Sequence, residues 1–147
     1  MGQAQLLLIV LGVVLVGIAI IAGIQAYSTN NVKANMDAQV HDLMRIGSDI
    51  QTWVQKPQQF GGPTEYAAFD EVDSFDIIGY TSGGATEWTN PNATYTLEPG
   101  EDEVAVKSKN PELNTFAHLV VCGIKDTDVA VAVQRDTEPD APGCPLQ

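Results

Sequence analysis

The chain has 147 residues and a formal net charge of −12. A domain needs roughly 100–150 residues to bury a core, so this length holds one domain plus an appended element. The whole imbalance falls in residues 57–147, where sixteen acids face four bases, and such a surface repels phosphate backbones and anionic lipid heads; nucleic-acid recognition is disfavoured.

Residues 1–32 carry no charged side chain, and from Leu6 to Ile24 every residue is Leu, Ile, Val, Ala or Gly. As a helix this run spans about 28 Å, close to the roughly 30 Å hydrocarbon thickness of a bilayer. Three uses fit such a rod: a secretory signal to be removed, a permanent anchor, or a surface made to pack against copies of itself. A cleavable signal asks for a basic flank and an apolar stretch of about 7–15 residues. Here the flank "MGQAQ" has no Lys or Arg and the run is longer, although an Ile-Gln-Ala step precedes Tyr27. N-myristoylation is disfavoured because Leu6 stands where that motif wants Ser or Thr.

Residues 25–56 contain no proline and no glycine except Gly47, and their apolar positions are Val32, Met36, Val40, Leu43, Met44, Ile46, Ile50, Trp53 and Val54. Spacings of three and four make one apolar stripe on a helix that continues out of the rod. Lys33 with Asp37, Asp42 with Arg45, and Arg45 with Asp49 are placed to pair along it. The helix is expected to stop near Lys56, where Pro57 disfavours a helical predecessor and "FGGP" follows. One helix thus asks for two environments: residues 25–56 against a folded body, and residues 1–24 in lipid or among neighbouring chains. Leaving the 1–24 half in water would cost tens of kcal/mol, at about 1.5 kcal/mol for each large apolar side chain, which excludes a monomer in solution.

Residues 57–147 form the body. "FDIIGYTS", "ATYTLEP", "DEVAVKSK", "AHLVVCGIK" and "DVAVAVQR" are short runs rich in Val, Ile, Thr and Tyr, separated by turn formers. Val129, Val131 and Val133 alternate, as do Val104 and Val106, so each strand has one apolar face. The stripe of Val40, Leu43, Ile50 and Trp53 is its natural partner, giving an antiparallel sheet of about four strands on the helix, with "IKDTDVA" as the last hairpin. Cys122 and Cys144 are the two cysteines; they read as a disulfide if the body lies outside the cytoplasmic membrane, or as two buried thiols. The "DTEPDAPGCPLQ" tail would fray unless tethered.

"NAT" at Asn92 is an acceptor sequon for glycosylation. Asp70, Glu71, Asp73 and Asp76, and Asp126 with Asp128, lack EF-hand spacing and read as solvated acids. Tyr27, Trp53, Tyr66, Tyr80, Trp88 and Tyr95 are too scattered for a cofactor box and read as core and rim. No GxSxG, P-loop or HExxH pattern organises a catalytic site, so no enzyme activity, cofactor or metal is expected.

A neutral N-terminal apolar helix, Tyr27, an amphipathic continuation to the mid-fifties, a strand-rich body and a late cysteine pair together resemble a mature type IV pilin, or the pseudopilins of type II secretion. The likeness is strongest over the first 55 or so positions and covers the rest only in general plan. It implies a membrane-inserted subunit, trimmed by a prepilin peptidase and handled by a pilus assembly machinery. On this resemblance Met1 is the processed, N-methylated terminus, and the Cys122–Cys144 pair bounds a loop as in many pilins. Where bacterial members carry a Glu that answers a neighbour's N-terminal amine, this chain has Gln5; where many have a helix-unwinding Pro, it has Ala22. Archaeal pilins commonly lack that Glu, so these departures bear on the branch.

The expectation is therefore an α+β fold: residues 1–24 as an apolar, protruding membrane or filament-core helix, residues 25–56 as its amphipathic continuation, and residues 57–147 as a small antiparallel β-sheet head with a disulfide-pinned C-terminal loop. The expected function is a homopolymeric, extracellular cell-surface filament, its subunits held in the cytoplasmic membrane before assembly and its core built on Gln5, Leu6, Gly12, Gly17, Gly23 and Tyr27. The alternatives are a single-span membrane-anchored acidic binding module and a pseudopilin of a secretion machine.

Overall fold

The structure is a computed structural model that describes residues 2–144, with side chains throughout that range except at position 126. Two compact units are distinguished, residues 1–34 and residues 35–147. Helix α1 (Gly2–Val54) contributes to both. No proline interrupts it, and it ends two residues before the Lys56 expected from sequence, where Lys56 N–H turns back to the Trp53 carbonyl. After Pro57 the chain passes through Gly61 in the left-handed region, at φ 80°. Gly62 packs so closely on the Lys56 carbonyl that a Cβ there would overlap it, which is why "FGGP" makes this corner.

The second unit carries an antiparallel meander of five strands in chain order: β1 (Glu87–Thr89), β2 (Thr94–Pro99), β3 (Val104–Asn110), β4 (Thr115–Val121) and β5 (Val129–Arg135). Four of these fall on the runs expected from sequence. The fifth run, "FDIIGYTS", is not a strand. Its backbone closes on itself, with Tyr80 N–H on the Phe75 carbonyl at 3.0 Å and Gly79 N–H on the Asp76 carbonyl at 3.1 Å. The Asp76 carboxylate accepts from the Ser82 and Gly84 amides, so local bonds take the place of a ladder. Phe75 is still fully buried in the core, with Ile77, Ile78 and Tyr80 partly buried against that core. Strand β1 was not expected, because three residues are too few to show a period.

Register carries the inner face. Leu97, Val106, Leu119 and Val131 stand opposite one another across four strands, and Val104, Val121 and Val129 form the next row. Leu43, Ile46, Ile50 and Val54 of α1 are buried with them in one core, each such side chain contributing about 1.5–3 kcal/mol of hydrophobic stabilisation. At Gly47 the helix lies close against β4, where a Cβ would stand 3.2 Å from Leu119 Cδ1. Trp53 is buried beside these residues.

Val40 does not take the inward position expected of it: it is half-buried and lies outside the core, and the fully buried residue at that turn is Gln39. The reason is the sheet opposite. The inner face is apolar near the β2–β3 turn but ends in Ser108, Asn110 and Thr115, all buried, and a buried hydroxyl or amide needs partners that valine lacks. Met44, also on the expected stripe, is exposed.

The outer face is partly covered by the tail. His118 and Val120 of β4 point away from α1 yet are buried, as is Pro139, and the tail is tied down by a disulfide between Cys122 and Cys144.

Candidate functional site

Helix α1 is the element that can be read for function, and it divides chemically. In its first part, Leu6, Leu7, Leu8, Ile9, Val10 and Leu11 are all between 55% and 71% exposed, so among the described residues none covers a side of the helix there. The same holds on to Ile24, and Tyr27 is 74% exposed. This stretch is long and apolar enough to cross a membrane. Gln5 lies on it with no charged neighbour in its turn. A Cβ on Gly12, Gly17 or Gly23 would meet nothing within 4 Å. Among the described residues these glycines therefore answer to no contact, although each costs a helix interior about 1 kcal/mol relative to alanine. At 100° per residue, Gly12 and Gly23 fall within about 20° of each other around the helix, with Gly17 about 140° away. Met1, expected as the processed and methylated terminus, lies outside the described residues.

From Asn35 onward the helix carries a line of polar side chains that sequence periodicity had not singled out. Gln39 Nε2 donates to Asn35 Oδ1 at 2.7 Å and to Thr115 Oγ1 at 2.6 Å, while its Oε1 accepts from Ser108 Oγ at 2.8 Å. One turn on, Asp42 Oδ2 accepts from Asn90 Nδ2, Asn92 Nδ2 and the Tyr95 hydroxyl, each at 2.8 Å. Burial pushes the Asp42 carboxyl up, but the bonds from Asn92, Asn90 and Tyr95 outweigh it and hold the group below the ordinary carboxylate value. Asp49 accepts from the Tyr80 hydroxyl at 2.7 Å, and the Arg45 guanidinium lies 5.9 Å from the Tyr80 ring centre. Burial, and then the bond to Asp49, raises the Tyr80 phenol; burial and Asp42 do the same to Tyr95. Gln51 Nε2 donates to the Gly123 and Lys125 carbonyls, fastening the β4–β5 connection.

These contacts correct the ion pairs expected along the helix. Among the described residues none of the three forms, and the ion pairs present are Lys107 with Glu98 and Glu138, and Arg135 with Asp136. Asp42 and Asp49 instead take phenol and amide donors from the head, because partly buried carboxylates gain more from fixed neutral donors than from a solvated guanidinium. Tyr95 and Trp88 belong to an aromatic group with Phe75 and Tyr80.

Asn92, the residue of the sequon, has its amide nitrogen on Asp42 and its carbonyl accepting from Asn35 and Asn110. Glu71 accepts from Thr64, and Asp128 from the Lys125 amide, so these acids cap local turns. Glu103 stands beside the disulfide, its Oε2 2.9 Å from Cys144 Sγ; with both sulfurs bonded to each other, no thiolate is offered to a metal there.

The long apolar N-terminal helix, the small antiparallel sheet and the disulfide are consistent with a pilin-like architecture. No family model matches the chain, and no curated protein or solved structure is matched by it.

Proposed function

We propose that this chain is the structural subunit of a helical filament of the type IV pilin kind, inserted in the cytoplasmic membrane before assembly and polymerising through residues 6–24. One observation carries the reading: these residues are apolar on every side of α1 and uncovered on every side. A lipid bilayer can cover them while the subunit waits, and outside a bilayer the neighbouring helices of identical chains are the surface of matching chemistry. The three glycines support the same reading, since they cost helix stability without serving any contact among the described residues and give small surfaces where another helix can approach. Neutral Gln5 takes the place that a charge pair holds in bacterial pilins.

Electron microscopy of the surface fraction sheared from producing cells tests the proposal. Fibres with a core of bundled helices, each made of residues 6–24, are the expected result. Monodisperse particles in detergent with no fibre from the cells would overturn it and favour a single-span membrane-anchored module. A short assembly confined to the envelope, with loss of protein export on deletion, would favour a pseudopilin.

A further inference from the structure

The segment after β5 crosses the outer face of the sheet as a strap. At its start Asp136 N–H donates to the Asn114 carbonyl at 2.9 Å, and the Asn114 side-chain amide donates to Asp136 Oδ1 at 3.2 Å. At its end Cys144 is bonded to Cys122, the residue after β4. Both ends are therefore fixed. The middle is held less firmly: among the described residues no amide from Thr137 to Gly143 donates a hydrogen bond, and the segment rests on the buried Pro139 and on Glu138, 3.5 Å from Lys107. Segments with few buried contacts and no backbone bonds open at low cost.

Under Pro139 lies His118, only 4% exposed, with neither ring nitrogen on a well-aligned partner. A neutral imidazole tolerates such a place, whereas an imidazolium needs water or fixed acceptors. The charged groups that face it are Lys107 across the ladder on β3, Glu98 on β2 and Glu138 on the strap; on β5 its cross-strand neighbour is Ala132, with Ala130 and Gln134 in the same row. The Pro139 carbonyl, Glu98 and Glu138 favour the charged ring, but burial, followed by Lys107, outweighs them.

We propose that residues 137–143 are an acid-released strap, closed over a neutral His118 and lifted when that ring takes up a proton, with the Cys122–Cys144 bond keeping the lifted strap attached. Lifting withdraws Glu138 and Asp140 from this face and uncovers His118 and Val120. The outer face then changes from an acidic surface to an apolar strip of β4 carrying a positive ring. Because the open form binds the proton more readily than the closed one, opening grows as pH falls below 6.5, by at most about tenfold per pH unit for one proton. The inference goes beyond the filament reading and does not depend on it.

NMR of the isotope-labelled full chain in detergent, titrated from about pH 7.5 to about pH 5, tests it. The amide signals of Thr137, Glu138, Asp140, Ala141 and Gly143 are expected to move together toward unstructured positions, with one midpoint below 6.5 that they share with the His118 ring, while the Val106 and Leu119 amides of the core stay in place. His118→Leu and His118→Gln, one apolar and one polar but both unable to take up the proton, are expected to abolish the movement of the strap. Strap signals that stay fixed while the His118 ring titrates, or that move equally in both variants, would overturn the inference. So would core amides that shift at the same midpoint, because the event would then be unfolding of the whole head.

Discussion

Gln39 offers the sharpest test of how the helix is seated on the sheet. It is fully buried and makes three side-chain bonds, to Asn35, Thr115 and Ser108. Gln39→Met keeps nearly the same volume and removes all three, at a net worth of roughly 1 kcal/mol each. The partners are not wholly stranded: Ser108 Oγ still reaches the Ala117 carbonyl at 3.3 Å, and Thr115 Oγ1 still donates to Asn35 Oδ1 at 2.8 Å. The expected loss is therefore about 2–3 kcal/mol rather than more. For a unit of this size that lowers the melting temperature by about 8–12 °C. Thermal melts of the full chain in detergent, read by the fluorescence of Trp53 and Trp88, isolate the head because both tryptophans belong to it. The same logic predicts recovery to within about 1 kcal/mol when Gln39→Met is combined with Ser108→Ala and Thr115→Val, since an apolar match replaces a polar one. A Gln39→Met melt within about 1 °C of the parent, or a triple variant no more stable than the single, would refute the reasoning.

Asp42 has a carboxyl held below its ordinary value of 3.8, so its contribution to stability is present above that value and is lost as pH falls through the depressed one; Asp42→Asn should flatten this part of the acid melting profile. His118 acts in a higher window. Its ring has no well-aligned partner, and burial, followed by Lys107 across the ladder, pushes it below 6.5, against the opposing pull of the Pro139 carbonyl, Glu98 and Glu138. The unfolded chain then takes up the proton first, so stability should fall as pH drops below 6.5, and His118→Leu should remove that slope in melts from pH 7 to 5. The disulfide closes a loop with a sequence separation of 22. Cys122→Ala with Cys144→Ala should cost roughly 3 kcal/mol in the chain-entropy model and expose the tail to proteolysis, which limited digestion followed by mass spectrometry would detect.

The long helix, its chemical division near residue 24 and four of the five strands were legible in the chain alone, and the disulfide was one of two readings of its two cysteines. They depend on short-range signals: a run of apolar residues with no breaker, period-two alternation, turn formers between runs, and two cysteines in total. Position 39 could not be read this way. Periodicity favoured Val40, and what decided for Gln39 was the cluster of Ser108 and Thr115, 69 and 76 residues further along, brought opposite by the register of β3 and β4. The same holds for Asp42 and Asp49, which sequence spacing pairs with Arg45 and which the folded head instead engages through Tyr95, two asparagines and Tyr80. A hydrophobic pattern records how often a side chain must leave water; which polar group can follow it inside depends on the donors and acceptors waiting there, and those are assembled only when distant strands meet.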